Sequence, residues 1–147
     1  MITRFLESLK AQIKHDCLQR SQASMGPVHS SDVAYIWVKE SSNTGHSHYH
    51  ICLFFNGYAY RCLGLFQLGR NNLYNRIHKA WASATNTPIE LMQGSIHIPE
   101  NAQYQLLRSS PEFQSVFNDL FRRLSYFSKI DTKEYGDRSR HFGCSRV

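Results

Sequence analysis

Two histidines separated by one residue, His48-Tyr49-His50, follow a short way after Glu40. In an extended strand, side chains two apart leave the same face, so both imidazoles can ligate one ion as a two-point chelate. The intervening Ser41-Ser42-Asn43-Thr44-Gly45 has turn chemistry, and a hairpin that pairs Glu40 opposite His48 adds a carboxylate to that face. One carboxylate and two imidazoles leave open positions on a divalent ion for a phosphate oxygen. Standing alone, a His-x-His pair on a strand is more often incidental than metal-binding, and Cys52 and Phe54 on the same face read as plain core. The placement of Glu40, and a tyrosine far downstream, favour the metal reading. His46 shares the parity of His48 and His50 and reads as a spare ligand or a turn residue. His97, between Ile96 and Ile98, reads as a packed or surface histidine.

The downstream tyrosine lies in Leu124-Ser125-Tyr126-Phe127-Ser128-Lys129. At about 100° per residue, Arg122, Tyr126 and Lys129 share one helix face, roughly opposite an apolar stripe centred near Leu124. Cations around a phenol favour the phenolate and attract phosphate, the setting that phosphodiester cleavage through a phosphotyrosine link requires. Without the metal motif, Tyr126 reads first as a surface tyrosine on a basic face. A straight helix from Phe113 to Phe127 packed by its apolar stripe would turn Tyr126 away from the sheet. Either the helix breaks before Ser125, or the metal lies on the sheet face opposite the main packing. Three other tyrosines are weaker nucleophiles: Tyr49 points to the other sheet face, Tyr104 has only Arg108 at helical distance, and Tyr135 sits in a charged, irregular tail.

The elements that must hold these residues follow from periodicity. Ile2, Phe5, Leu6, Leu9 and Ile13 predict an amphipathic helix over 2–20. Ser21 to Asp32, with Gly26 and Pro27, reads as a loop. Val33 to Glu40 and His48 to Phe55 predict the two strands of the hairpin, ended by Asn56 and Gly57. A weaker strand is expected around Tyr58 to Leu68. Leu73, Ile77, Trp81 and Ala84 predict a helix over 71–84, and Gly94 to Ile98 a return to the sheet before Pro99. Phe113, Val116, Phe117, Leu120, Leu124 and Phe127 predict a long helix, with Pro111 in its first turn. Ile130 to Val147 reads as charged and irregular.

Composition bounds the function. The 147 residues, 41% of them apolar, fit one domain spanning 1–147 with a single core. Seventeen Lys and Arg against 11 Asp and Glu give a net charge of +6, which favours encounter with phosphates. The four cysteines, Cys17, Cys52, Cys62 and Cys144, form no Cys-x-x-Cys pair, so zinc-knuckle and redox motifs are absent. No apolar run reaches signal-peptide or membrane-spanning length. A soluble, cytoplasmic protein with no membrane partner is expected. Cupin, zinc-deaminase and two-histidine phosphoesterase sites each require neighbouring residues that this sequence lacks.

Taken together, these residues resemble the HUH endonucleases, and within them the inovirus replication-initiator family that includes the YagK/YfjJ-type C-terminal domains. The likeness covers most of the chain: Arg4-Phe5, Tyr35-Ile36-Trp37-Val38-Lys39-Glu40, His48-Tyr49-His50 with Leu53 and Asn56, Ala80-Trp81, Leu124-Ser125-Tyr126 with Lys129, and Phe142-Gly143 with Ser145-Arg146. The resemblance implies an α+β, HUH/Rep-like fold with a central, mainly antiparallel sheet and packed helices. It implies Mg2+ or Mn2+ held by Glu40, His48 and His50, Tyr126 as nucleophile, and Lys129 as a helper near metal or phosphate. Arg122, Arg123 and Lys133 are then expected on the DNA backbone. The implied activity is nicking and rejoining of single-stranded DNA at a rolling-circle origin of a phage, prophage or related mobile element. One departure stands out: the strand that ordinarily precedes the first helix is absent. That omission is compatible with N-terminal truncation, with a partner chain or second copy completing the sheet, or with a catalytically inactive DNA-binding or regulatory remnant.

Overall fold

A computed structural model describes residues 1–41, 47–128 and 140–146. The elements in chain order are α1 (Ile2–Ala23), β1 (Ala34–Ser41), β2 (Ser47–Phe54), α2 (Leu73–Thr85), α3 (Phe113–Ser125) and β3 (Phe142–Cys144), with short 3-10 turns at Ile89–Leu91 and Tyr126–Ser128. The class is α+β. No helix among the described residues is long and apolar enough to cross a membrane. The chain forms two compact units: Met1–Val33 with Phe55–Gln103, and Ala34–Phe54 with Tyr104–Val147.

In the first unit, the expected stripe of α1 is buried: Ile2, Phe5, Leu6, Leu9 and Ile13. Phe5 meets Trp81 of α2 edge to face at 5.6 Å, a favoured aromatic geometry. The polar end of α1 is tied down by Asp16. Its carboxylate accepts from Tyr60 Oη at 2.6 Å and Arg20 Nε at 3.1 Å, and from Arg76 Nη2 of α2. Burial first, then the Asp16 hydrogen bond, pushes the Tyr60 phenol well above its ordinary pKa.

The strand expected around Tyr58 to Leu68 is not formed. Asn56 folds that segment back, its side chain donating to Ser30 O at 2.8 Å and accepting from the Tyr58 amide at 3.0 Å. Further on, Gly64 and Gly69 take positive φ values of 84° and 85°, which a strand does not allow. Asn72 caps α2 by accepting from the Asn75 amide at 3.0 Å, and the buried Asn75 holds Gly69 N and Gln67 O at 2.8 Å each. These side chains replace the ladder bonds a strand would have made. Nor does Gly94 to Ile98 return to the sheet: Gly94 has φ 79°, and the Ser95 amide closes a turn onto Met92 O at 3.0 Å.

The second unit holds an antiparallel sheet of order β2-β1-β3. β3 lies in the tail expected to be irregular. Gly143 faces Trp37 across the β1–β3 ladder, and the indole fills the space a side chain would take, since a Cβ there would lie 2.6 Å from Trp37 Nε1. α3 starts at Phe113 rather than at Pro111, because Ser110 organises the preceding turn with its carbonyl on Phe113 N at 3.1 Å and its hydroxyl on Glu112 N at 3.2 Å. Its apolar stripe is not all core. Only Leu120 is buried, while Phe113, Phe117 and Phe121 stack on one another at 6.0 and 6.3 Å and leave Phe121 64% exposed.

Candidate metal and phosphoryl-transfer site

The hairpin register pairs Glu40 with His48, Val38 with His50 and Ile36 with Cys52. Directly opposed residues of an antiparallel pair project from the same face, so Glu40, His48 and His50 share one face. Tyr49, opposite Lys39, points to the other, where its ring meets Trp37 at 6.0 Å. Burial raises the Tyr49 phenol pKa, which suits support rather than attack. Cys52 continues the face of Glu40, His48 and His50; burial pushes its thiol from 9.0 up to about 11.

Glu40 Oε2 lies 2.9 Å from His50 Nε2, with both side chains partly open to solvent. Two ligands about 2.1 Å from an octahedral ion and at a right angle are about 3.0 Å apart. The observed spacing is that of an ordinary hydrogen bond and equally of adjacent ligands; for an ion to take the place of the shared hydrogen, the carboxylate and the imidazole must both turn their lone pairs from each other toward it. Among the described residues, no three His, Cys, Asp or Glu side chains are grouped closely enough to hold an ion together. His48 is exposed at the register position beside Glu40, so it joins the pair only by changing rotamer. The donor set, one carboxylate and two imidazoles, fits a divalent ion of the Mg2+ or Mn2+ type with coordination positions left open.

The end of α3 comes to the same place. At Tyr126 the helix tightens: the Tyr126 amide bonds to Arg123 O, a 3-10 link, in place of Arg122 O. The Ser125 hydroxyl takes over the freed Arg122 carbonyl at 2.6 Å, as a serine at a helix terminus can. The break thus falls one residue after Ser125, not before it. Its consequence is that Phe127 leaves the apolar stripe and packs against His50, ring centroids 6.1 Å apart. Tyr126, its chain neighbour, stays 62% exposed. Sequence periodicity assigns Phe127 to core; only the change of helix type shows it as the ring that bears on His50.

The remaining sequence candidates divide. Arg122 is exposed, four residues before Tyr126. Arg123 is partly buried, with its guanidinium over the Tyr104 ring at 5.5 Å, so it fastens the chain at 104 to α3 as well as carrying charge. Tyr104 is thereby committed as a cation platform. Lys129, Lys133, Tyr135 and His46 lie outside the described residues.

The family model of the YagK/YfjJ C-terminal domain matches residues 1–145. The chain belongs to this family. It is 40% identical over 146 residues to "Uncharacterized protein YfjJ" of Escherichia coli (strain K12), covering 99% of this chain and 70% of that one. It is 37% identical over 147 residues to "Uncharacterized protein YagK" of the same strain, covering 100% of this chain and 70% of that one. No solved structure matches. The YagK/YfjJ likeness extends through Phe142–Cys144, so β3 belongs to the matched region together with the hairpin and α3.

Proposed function

We propose that this YagK/YfjJ domain is a metal-dependent, tyrosine-type HUH endonuclease that nicks and rejoins single-stranded DNA at a rolling-circle origin of a phage, prophage or related element. One observation carries the reading. Glu40 and His50 stand 2.9 Å apart on the face that also bears His48, and in the 3-10 turn whose Phe127 packs on His50 the neighbouring Tyr126 is exposed.

Glu40, His48 and His50 would hold Mg2+ or Mn2+, which when bound supplies a Lewis acid for a phosphoryl oxygen. In the cleavage step, the Tyr126 phenolic oxygen forms a bond to phosphorus as the bond to the leaving sugar oxygen breaks. The phenol gives up its proton and the leaving oxygen gains one. One phosphoester is exchanged for another, so rejoining is the reverse step and needs no energy-rich co-substrate. Arg122, and in the same reading Arg123 and Lys133, hold the DNA backbone by charge. The Phe127 contact limits the freedom of the His50 ring, and preorganisation of a metal-holding side chain would favour in-line attack.

The test uses labelled single-stranded oligonucleotides tiling the DNA that flanks the gene, with and without Mn2+, on wild type and Tyr126→Phe. Wild type should give a metal-dependent covalent protein–DNA band. Tyr126→Phe should lose the band while keeping DNA binding, because one exposed hydroxyl is removed. A band that persists and maps to Tyr135 refutes the nucleophile. Binding without any cleavage by wild type would instead make the domain a DNA-binding remnant, a reading favoured by the position of His48 outside the Glu40–His50 pair.

A further inference from the structure

We propose that Arg140 is a phosphate-binding residue of this site, placed beside Glu40 on the flank opposite His48; this rests on the strand-cleavage reading above. The β1–β3 ladder pairs Ile36 with Cys144, Trp37 with Gly143 and Val38 with Phe142. It does not stop there. The Lys39 amide donates to His141 O at 2.8 Å, the bond the same register requires one step further on. Continued by one more residue, that register sets Arg140 across from Glu40. Exposure from 140 to 145 alternates, with Arg140, Phe142 and Cys144 outward and His141, Gly143 and Ser145 drawn in, so Arg140 has the parity of Phe142, the partner of Val38.

Glu40 and Val38 are on the metal face, and Arg140 therefore is too. Of the two bonds a Lys39–His141 pair would exchange, the one from the Lys39 amide is made; carried on regularly, the register puts residue 140 opposite Glu40 at a non-hydrogen-bonded position, where Cα atoms of a regular ladder are about 4.5 Å apart. The row across the sheet reads His48, Glu40, Arg140. Glu40 makes its hydrogen bond to His50, on the next strand, and the Arg140 side chain is exposed. A guanidinium offers donors in a planar fork matched to two phosphate oxygens. A phosphate with one oxygen at the Glu40–His50 pair presents its other oxygens one strand spacing away, where Arg140 stands. Its charge would stabilise the phosphorane-like state as the bond to Tyr126 forms.

The experiment compares wild type, Arg140→Ala and Arg140→Lys in single-turnover cleavage of the same tiled oligonucleotides at saturating DNA, over a Mn2+ titration. Arg140→Ala should cleave about 100-fold more slowly, the loss typical of one removed transition-state donor, with its Mn2+ midpoint within about twofold of wild type. Arg140→Lys should regain part of that loss, since it keeps charge but not the fork. Cleavage by Arg140→Ala within about threefold of wild type overturns the proposal and leaves the strand-cleavage reading intact. A Mn2+ midpoint shifted by about tenfold or more also overturns it, because Arg140 would then act through Glu40 instead of on phosphate. If wild type itself cleaves nothing, the strand-cleavage reading fails, and Arg140 as proposed fails with it.

Discussion

Replacing Gly143 by alanine tests the docking of β3, on which the position of Arg140 depends. A Cβ at Gly143 would lie 2.6 Å from Nε1, 2.7 Å from Cε2 and 2.8 Å from Cζ2 of Trp37, whereas carbon contacts are comfortable at about 3.5–4.0 Å. Something must move by about 1 Å. The indole has little room: it is buried and already meets Tyr49 edge-on at 6.0 Å. β3 is therefore expected to lift. At risk are the Lys39 amide bond to His141 O at 2.8 Å, the Ser145 amide bond to Tyr35 O at 3.0 Å, and the Tyr35 amide bond to Ser145 Oγ at 3.0 Å. Overpacking of this kind costs about 1–3 kcal/mol. A central value of ~2 kcal/mol lowers the melting temperature of a chain this size by about 4–8 °C. It also raises amide exchange at Lys39 and Ser145 by roughly 30-fold if those amides exchange by release of β3. Melting followed by circular dichroism and exchange read residue by residue measure both. A variant that melts within about 1 °C of wild type, with exchange at Lys39 and Ser145 unchanged, would show that Trp37 does not hold β3 and would refute the packing argument.

Two further outcomes bear on stability. Asp16→Ala leaves Arg76, 11% exposed in its side chain, without its carboxylate and removes the acceptor of Tyr60. The loss should be about 3 kcal/mol, read as a urea midpoint shift, and a loss under about 1 kcal/mol would mean that water or Asn71 replaces the carboxylate. The Cys52 thiol has a folded pKa raised by burial from 9.0 to about 11, so the folded state keeps a proton that the unfolded chain gives up first. Its contribution is therefore fully present below the unfolded value and declines as pH rises through the folded one. Wild type should lose on the order of 2 kcal/mol more than Cys52→Ala across that window. Parallel pH profiles for the two proteins would remove Cys52 as the cause.

The hairpin was legible because two independent signals agree on it. Branched and aromatic residues in Val33 to Glu40 and in His48 to Phe55 mark the strands, the turn chemistry of the sequence between them marks a hairpin, and the ladder has the expected pairing, Glu40 opposite His48. α1 and α2 were legible for the same reason, an uninterrupted period with a loop or cap at the ends. Tyr58 to Leu68 misled because its apolar and aromatic residues suit a strand, while the fold of that segment is decided by Asn56, Asn72 and Asn75 through hydrogen bonds that no periodicity encodes. β3 was hidden by the opposite fault. Phe142–Cys144 is too short to carry an alternation, and its central residue is a glycine, whose place in a strand makes sense only once Trp37 is seen lying across it.

The same distinction explains which parts of the candidate site could be read in advance. Ligands on one hairpin are related by parity, and parity is written in the sequence. What brings α3 to that hairpin is not parity but a change of helix type at one residue. Had the α-helical hydrogen bond from the Tyr126 amide to Arg122 O persisted, Phe127 would have stayed in the stripe with Leu120 and Leu124. Instead the carbonyl is taken by the Ser125 hydroxyl, the turn tightens, and Phe127 reaches His50. A serine directly before the tyrosine is thus a sequence signal for the break, because its hydroxyl can satisfy the carbonyl that the tighter turn abandons. On this argument the Ser125 side chain, which touches neither metal nor phosphate in the proposed chemistry, decides whether Phe127 reaches His50 or stays on a continuing helix.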